Sequence, residues 1–249
     1  MDSLTIEMVI GILFLVSFIP PIIYVIWIRR TERYEREPWW QIAKVFLWGA
    51  IVAVIVALIL SSLIIGILGE TIQREYYWLR PGSPIWILLL VSLIVPLVEE
   101  FAKGMGVYTA RRSISEPEDG MVYGGACGLG FAATENLVYG LFAYVTIADF
   151  RASISLILIR SISSALLHAS ATAVMGYGVG RSLLFSGKAS VLPYYLLAVF
   201  MHGVFNYLAS FEIIYQDPTA VLYGFSLAII FAIATFSLIR YGIRAKDYR

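Results

Sequence analysis

Stretches of some 20 or more residues with few or no charges recur along this chain, and that repetition restricts the fold more than any other feature. A helix rising 1.5 Å per residue needs about 20 mostly apolar residues to cross the hydrocarbon of a bilayer. The runs 5–28, 41–68, 84–110, 121–145, 152–181, 190–211 and 219–240 meet that length. They predict an all-α, polytopic bundle of about seven transmembrane helices, forming one membrane domain over 1–249. Of the 249 residues, 60% are hydrophobic and only 14% charged, whereas soluble domains carry about a quarter charged residues. Lipid is therefore part of this chain's solvent. The fourth run contains the Gly-rich segment GGACGLG, which in a membrane permits close helix packing.

The first run is expected to be a retained helix and not a cleaved leader. Asp2 and Glu7 stand where a basic segment would, and no small-residue cleavage site follows Ile28. Lys and Arg set the orientation. Arg29, Arg30, Arg33, Arg36, Lys44, Arg111, Arg112, Arg181, Lys188, Arg240, Arg244, Lys246 and Arg249 fall on one side. Only Arg74, Arg80 and Arg151 fall on the other. The bias places the N-terminus outside and the C-terminus in the cytoplasm. Trp39, Trp40, Tyr76, Tyr77 and Trp78 read as interfacial aromatics. No basic stripe on a soluble face points to nucleic acid. Cys127 is the single cysteine, so an internal disulfide and a CxxC metal site are excluded.

Ionisable groups inside a bilayer cost several kcal/mol and face the bundle interior. Here they are Glu99, Glu100 and Lys103 in the third run, Glu135 in the fourth, Arg160 and His168 in the fifth and His202 in the sixth. Counted to the cytoplasmic ends, Glu100 lies 11 residues from Arg111, Glu135 14 from Met121, His168 13 from Arg181 and His202 12 from Ser190. These are depths of roughly 16–21 Å. Four groups on four consecutive helices thus share one level, as a single converging site requires. Lys103 follows Glu99 by four residues and Glu100 by three, so its ammonium can neutralise either. The two glutamates point about 100° apart, which assigns them different roles. His202 and Asn206 share a face, as do Phe131 and Glu135. Arg160, Ser164 and His168 form a further polar stripe, with Arg160 nearer the outer surface as an anchor there or a partner for a carboxylate.

A carboxylate in such a site can act as a general base on water. A histidine one turn from an asparagine can supply donors to a developing oxyanion. The parts for water-mediated amide hydrolysis are present. Cys127 has no activating neighbour in sequence and reads as a packing residue.

The motifs VEEFAKG at 98–104, GFAATEN at 130–136, LLHAS at 166–170 and MHGVFN at 201–206 resemble those of the PrsW family, membrane proteases related to CAAX-processing and bacteriocin-processing enzymes. EExxK matches Glu99, Glu100 and Lys103; FxxxE matches Phe131 and Glu135; HxxxN matches His202 and Asn206. The prenyl-processing enzymes carry FxxxH at the second motif, so the Glu135 variant matches PrsW-type proteins. The resemblance spans the third to sixth helices. It implies a glutamic endopeptidase without a cofactor, acting on membrane-anchored proteins such as anti-sigma factors.

In this reading Glu99 or Glu100 activates water, with Glu99 favoured. His202 and Asn206 stabilise the oxyanion, and Glu135, His168 and Lys103 orient the base or the water. A zinc hydrolase using Glu99, His168 and His202 ranks second, because Glu plus two His is a known catalytic zinc set. A proton-coupled transporter ranks third, since midplane Glu and His residues also build proton relays. With no organelle signal visible, a prokaryotic plasma membrane is the expected location.

Overall fold

The computed structural model describes residues 5–185, 190–215 and 217–247. Lys188 and Arg249 of the charge bias lie outside the described residues, as do the side chains of Arg74 and Tyr77. Among the described residues there is no strand, and the helices follow in the order α1 (Ile6–Arg29), α2 (Trp39–Leu47), α3 (Val54–Glu75), α4 (Pro84–Leu89), α5 (Val95–Tyr108), α6 (Pro117–Ile147), α7 (Phe150–Ile162), α8 (Ser164–Leu184), α9 (Leu192–Ala209), α10 (Phe211–Tyr215) and α11 (Pro218–Lys246). A π-helical stretch, Trp48–Ala53, joins α2 to α3, and a second, Leu90–Ile94, joins α4 to α5. Six of the resulting rods are long and apolar enough to cross a membrane, so the chain is a multi-pass membrane protein.

α6 is the one long helix that falls short on apolarity, and its surroundings explain why. It packs against α1, α2, α5, α7 and α8, and its residues from Glu118 to Ala133 are buried without interruption. Over that stretch the helix is sheathed in protein and needs no lipid-facing apolar stripe. Its glycines serve that packing. Gly120, Gly124 and Gly128 recur every fourth residue and lie against Gly176, Thr172 and the His168 carbonyl of α8. A Cβ at Gly128 would collide with that carbonyl, so the small-residue stripe is what lets α8 approach α6 closely enough to place His168.

The fifth run is not one continuous helix. It breaks at Ser163, whose backbone sits at φ −109°, ψ −79°. The hydroxyls of Ser161 and Ser163 donate back to the carbonyls of Ile157 (2.8 Å) and Ile159 (2.9 Å), and such back-bonding bends helices. The opposite extreme to α6 is α3. Ala57 and Gly69 are its only buried residues among those described, while Leu58, Ile59, Leu63 and Ile67 are each more than half exposed. α3 is a thinly packed outer wall.

Candidate active site

α5 carries Glu99, Glu100 and Lys103 into the interior, α6 Glu135, α8 His168 and α9 His202, and the four elements bring these groups into one connected cluster. Lys103 is its hub. An ammonium has three hydrogens to give, and here all three find acceptors: Glu100 Oε1 at 2.6 Å, His168 Nδ1 at 2.9 Å and Glu99 Oε2 at 3.4 Å. Its Nζ also lies 4.5 Å from the centre of the Phe131 ring, which adds cation–π attraction. That gives Phe131 of the FxxxE motif a physical task.

The imidazole tautomers follow from these bonds. His168 accepts at Nδ1 from the ammonium, so its proton is on Nε2, which donates to Glu135 Oε2 at 2.9 Å. His202 donates from Nδ1 to Glu100 Oε1 at 2.9 Å. Its Nε2 then faces Glu99 Oε2, 3.9 Å away. The two rings meet edge to face, with centroids 4.7 Å apart.

The adjacent glutamates differ as their 100° separation predicts. Glu100 is fully buried and engaged at both oxygens, the second by the Thr172 hydroxyl at 3.0 Å. Glu99 retains 8% exposure and lines a cleft of about 250 Å³ between α3, α5 and α6, with Glu135 beside it.

Two partners extend beyond the expected set, and one expected residue stands partly aside. Thr172, one turn after His168, was not anticipated; a neutral hydroxyl in an apolar run gives little signal. Arg160 does not simply anchor at the surface. Its Nη2 pairs with Glu135 Oε2 at 2.8 Å, its Nε donates to Asn136 Oδ1 at 2.9 Å, and its guanidinium stacks 3.8 Å from the Tyr139 ring centre. It keeps the expected proximity to Ser164 (3.2 Å) across the break between α7 and α8. Asn206 stands apart from the carboxylates. Its Nδ2 donates to the Val91 carbonyl at 2.8 Å. Val91 belongs to the π-helical stretch, where the altered register changes which carbonyls are bonded within the helix. One Asn206 N–H is committed there and the other remains.

Cys127 is buried, its thiol against the Lys103 carbonyl at 3.4 Å, in keeping with a packing role. Ligand atoms of Glu99, His168 and His202 lie within 4.8 Å of one another, close enough to hold a metal ion. Each imidazole also braces its outer N–H on a carboxylate, the arrangement common around metal-binding histidines. The donor types therefore fit a divalent ion. The competing feature is Lys103, whose ammonium already occupies the inward nitrogen of His168.

A buried cluster of carboxylates and imidazoles on the helices of a multi-pass membrane protein has the groups that acid–base chemistry on water requires. The comparisons give the class of protein. Residues 37–236 match the family described as PrsW family intramembrane metalloprotease, and the chain belongs to that family of intramembrane proteases. It is 30% identical over 208 residues to Protease PrsW of Clostridioides difficile, covering 80% of each chain. It is 28% identical over 182 residues to Protease PrsW of Geobacillus kaustophilus, covering 71% of this chain and 70% of that protein. No solved structure matches.

Proposed function

We propose that this protein is a glutamic-type endopeptidase in which Glu99 activates water against a peptide bond of a membrane-associated protein. The observation that carries the reading is the division between the glutamates: Glu100 is bonded at both oxygens, while Glu99 faces the cleft and His202 Nε2. One water at about 2.8 Å from each partner spans a 3.9 Å gap of this kind. Glu99 takes a proton from that water as the new C–O bond forms. The proton then passes to the leaving nitrogen as the C–N bond breaks.

The tetrahedral oxyanion needs donors. His202 Nε2 faces the cleft side of Glu99, and the second N–H of Asn206, one helical turn away, is a donor for the oxyanion. Glu135 fixes His168 through its Nε2–H, and Lys103 bridges Glu99 and Glu100. Seven crossings follow from the apolar runs, with the N-terminus outside by the charge bias, and a prokaryotic plasma membrane is the location that the bacterial relatives suggest. A membrane-bound anti-sigma factor is the type of substrate the family resemblance suggests.

A second reading has a specific observation behind it, the Glu99–His168–His202 ligand geometry. A zinc ion held there would supply Lewis acidity and a more acidic bound water. Proteolysis by purified protein in lipid, with Glu99→Gln beside it, tests the common core. A loss of at least about a hundredfold is expected, the typical worth of a general base; full activity ends the proposal. Elemental analysis of the active sample separates the readings. Stoichiometric zinc with chelator-sensitive activity rejects the metal-free mechanism.

A further inference from the structure

Away from the Glu99 cluster, a groove of about 350 Å³ runs between α1 and α2. Ile22 and Ile26 of α1 face Trp39, Ala43, Phe46 and Leu47 of α2 across it, and every side chain that lines it is apolar. Ile22, Trp39 and Leu47 are about half exposed. Both walls belong to helices long and apolar enough to cross a membrane, so the groove opens to hydrocarbon. The Phe18 and Phe46 rings, 6.5 Å apart, bound its deep end. Trp39 and Leu47 are eight residues apart on α2, which is about 12 Å along the helix. One leaflet holds about 15 Å of hydrocarbon, so the groove has the depth for one acyl chain.

Charge gathers at the shallow end. Arg29 closes α1, and its guanidinium lies 4.3 Å over the centre of the Trp39 ring, on the groove wall. Its Nε donates to the Glu37 carbonyl at 2.6 Å. Stack and hydrogen bond together fix the guanidinium at the lip, and the four N–H groups on its two Nη atoms remain to be given. Arg30, Arg33 and Arg36 are exposed beside it. A guanidinium held in place is matched to phosphate oxygens, which it meets with paired hydrogen bonds. The neighbouring arginines favour a headgroup with net negative charge and repel one that carries an ammonium.

We propose that the groove between α1 and α2 binds one anionic phospholipid, with an acyl chain against Ala43 and Phe46 and the phosphate at Arg29. The site is separate from the carboxylate–imidazole cluster and stands whatever reaction that cluster performs. The test offers the purified protein an equimolar mixture of phosphatidylglycerol and phosphatidylcholine with the same chains, and native mass spectrometry counts the lipid that stays bound. Arg29→Gln removes the charge at the lip. Ala43→Phe fills the groove and leaves the bond from Arg29 to Glu37 in place, so it decides the matter even where Arg29→Gln disturbs the connecting segment. Leu196→Phe is the control, since it fills a different apolar groove, of about 410 Å³, beside α9.

The wild-type protein is expected to retain one phosphatidylglycerol with a preference of about tenfold or more over phosphatidylcholine, the scale set by hydrogen bonds to a charged group. Arg29→Gln should bring that preference to within about twofold, because one lipid-facing charge is then lost. Ala43→Phe should abolish the retained lipid, and Leu196→Phe should keep it. A wild-type protein that retains neither lipid selectively, a preference that survives Arg29→Gln, or retention that survives Ala43→Phe would each mean that only unselective surrounding lipid is present, and would overturn the site.

Discussion

Two buried clusters of carboxylates occupy this molecule, and they meet the cost of burial in opposite ways. At the candidate active site, Glu99, Glu100 and Glu135 are paired with Lys103 and Arg160. At the end of the bundle, Glu32 and Glu37 of the segment between α1 and α2 meet Asp119 at the start of α6. Here Arg29 and Arg36 donate from Nε to the backbone carbonyls of Glu37 and Glu32. Glu37 accepts instead from the Tyr123 hydroxyl, and Asp119 from the amides of Ser115 and Glu116. Nearby, Asp247 accepts from the Arg33 amide. Burial pushes Glu32 up to about 9 and Glu37 up to about 8, with the neighbouring carboxylates adding to the rise. One cluster is held by countercharge and the other by retained protons, so each should fail under a different perturbation.

Removing the countercharge should give the largest stability effect. Lys103→Met leaves Glu99 and Glu100 as uncompensated buried charges, and breaking such a pair costs about 3–5 kcal/mol. Denaturation in detergent should show that loss, and Lys103→Met/Glu100→Gln should recover part of it. No loss in the single variant would mean that the ammonium does not hold the carboxylates. Arg160→Ala should act more mildly. Hydrogen bonds to charged groups are worth about 1.5–3 kcal/mol, so a fall in activity of about 10- to 100-fold is expected. Arg160→Lys should restore part of the activity through Glu135. Equal activity in both variants would return Arg160 to the role of a surface anchor.

Much of the first cluster could be read from sequence because charges in apolar runs have few places to go. The shared depth of Glu100, Glu135, His168 and His202 already required one meeting point, and the structure connects them. Arg160 was harder to place, because its distance from the expected level left a surface anchor and a partner for a carboxylate both open. The structure pairs it with Glu135, with the break at Ser163 and the stack on Tyr139 holding it there. Asn206 was assigned to the site by its spacing from His202, yet part of its amide serves the π-helical stretch. A partial signal was present in Pro96, which has no N–H to give the Val91 carbonyl in the i→i−5 pattern of a π-helical turn. The end cluster went unread because RRTERYERE looks like any solvated juxtamembrane run. What buries Glu32 and Glu37 is tertiary: Tyr123 and Asp119 arrive from α6, and Asp247 follows α11.

The smallest expected effect belongs to that end cluster, and its sign is opposite to that of a salt-bridged carboxylate. Glu32 and Glu37 keep protons in the folded protein that the unfolded chain releases near the ordinary value of 4.5. Their contribution to stability is therefore full below that value and is lost as pH rises through about 8 for Glu37 and about 9 for Glu32. The melting temperature in detergent should decline from about pH 5 to about pH 9, and Glu37→Gln should flatten the lower part of that decline by removing one titration. The same substitution leaves Glu99 and its neighbours untouched, so proteolysis near neutral pH should stay within about twofold. A melting profile that rises with pH over this range, or that keeps its slope in both Glu37→Gln and Glu32→Gln, would show that these carboxyls are ionised in the fold. The contrast between a charge-held site and a proton-held end would then disappear.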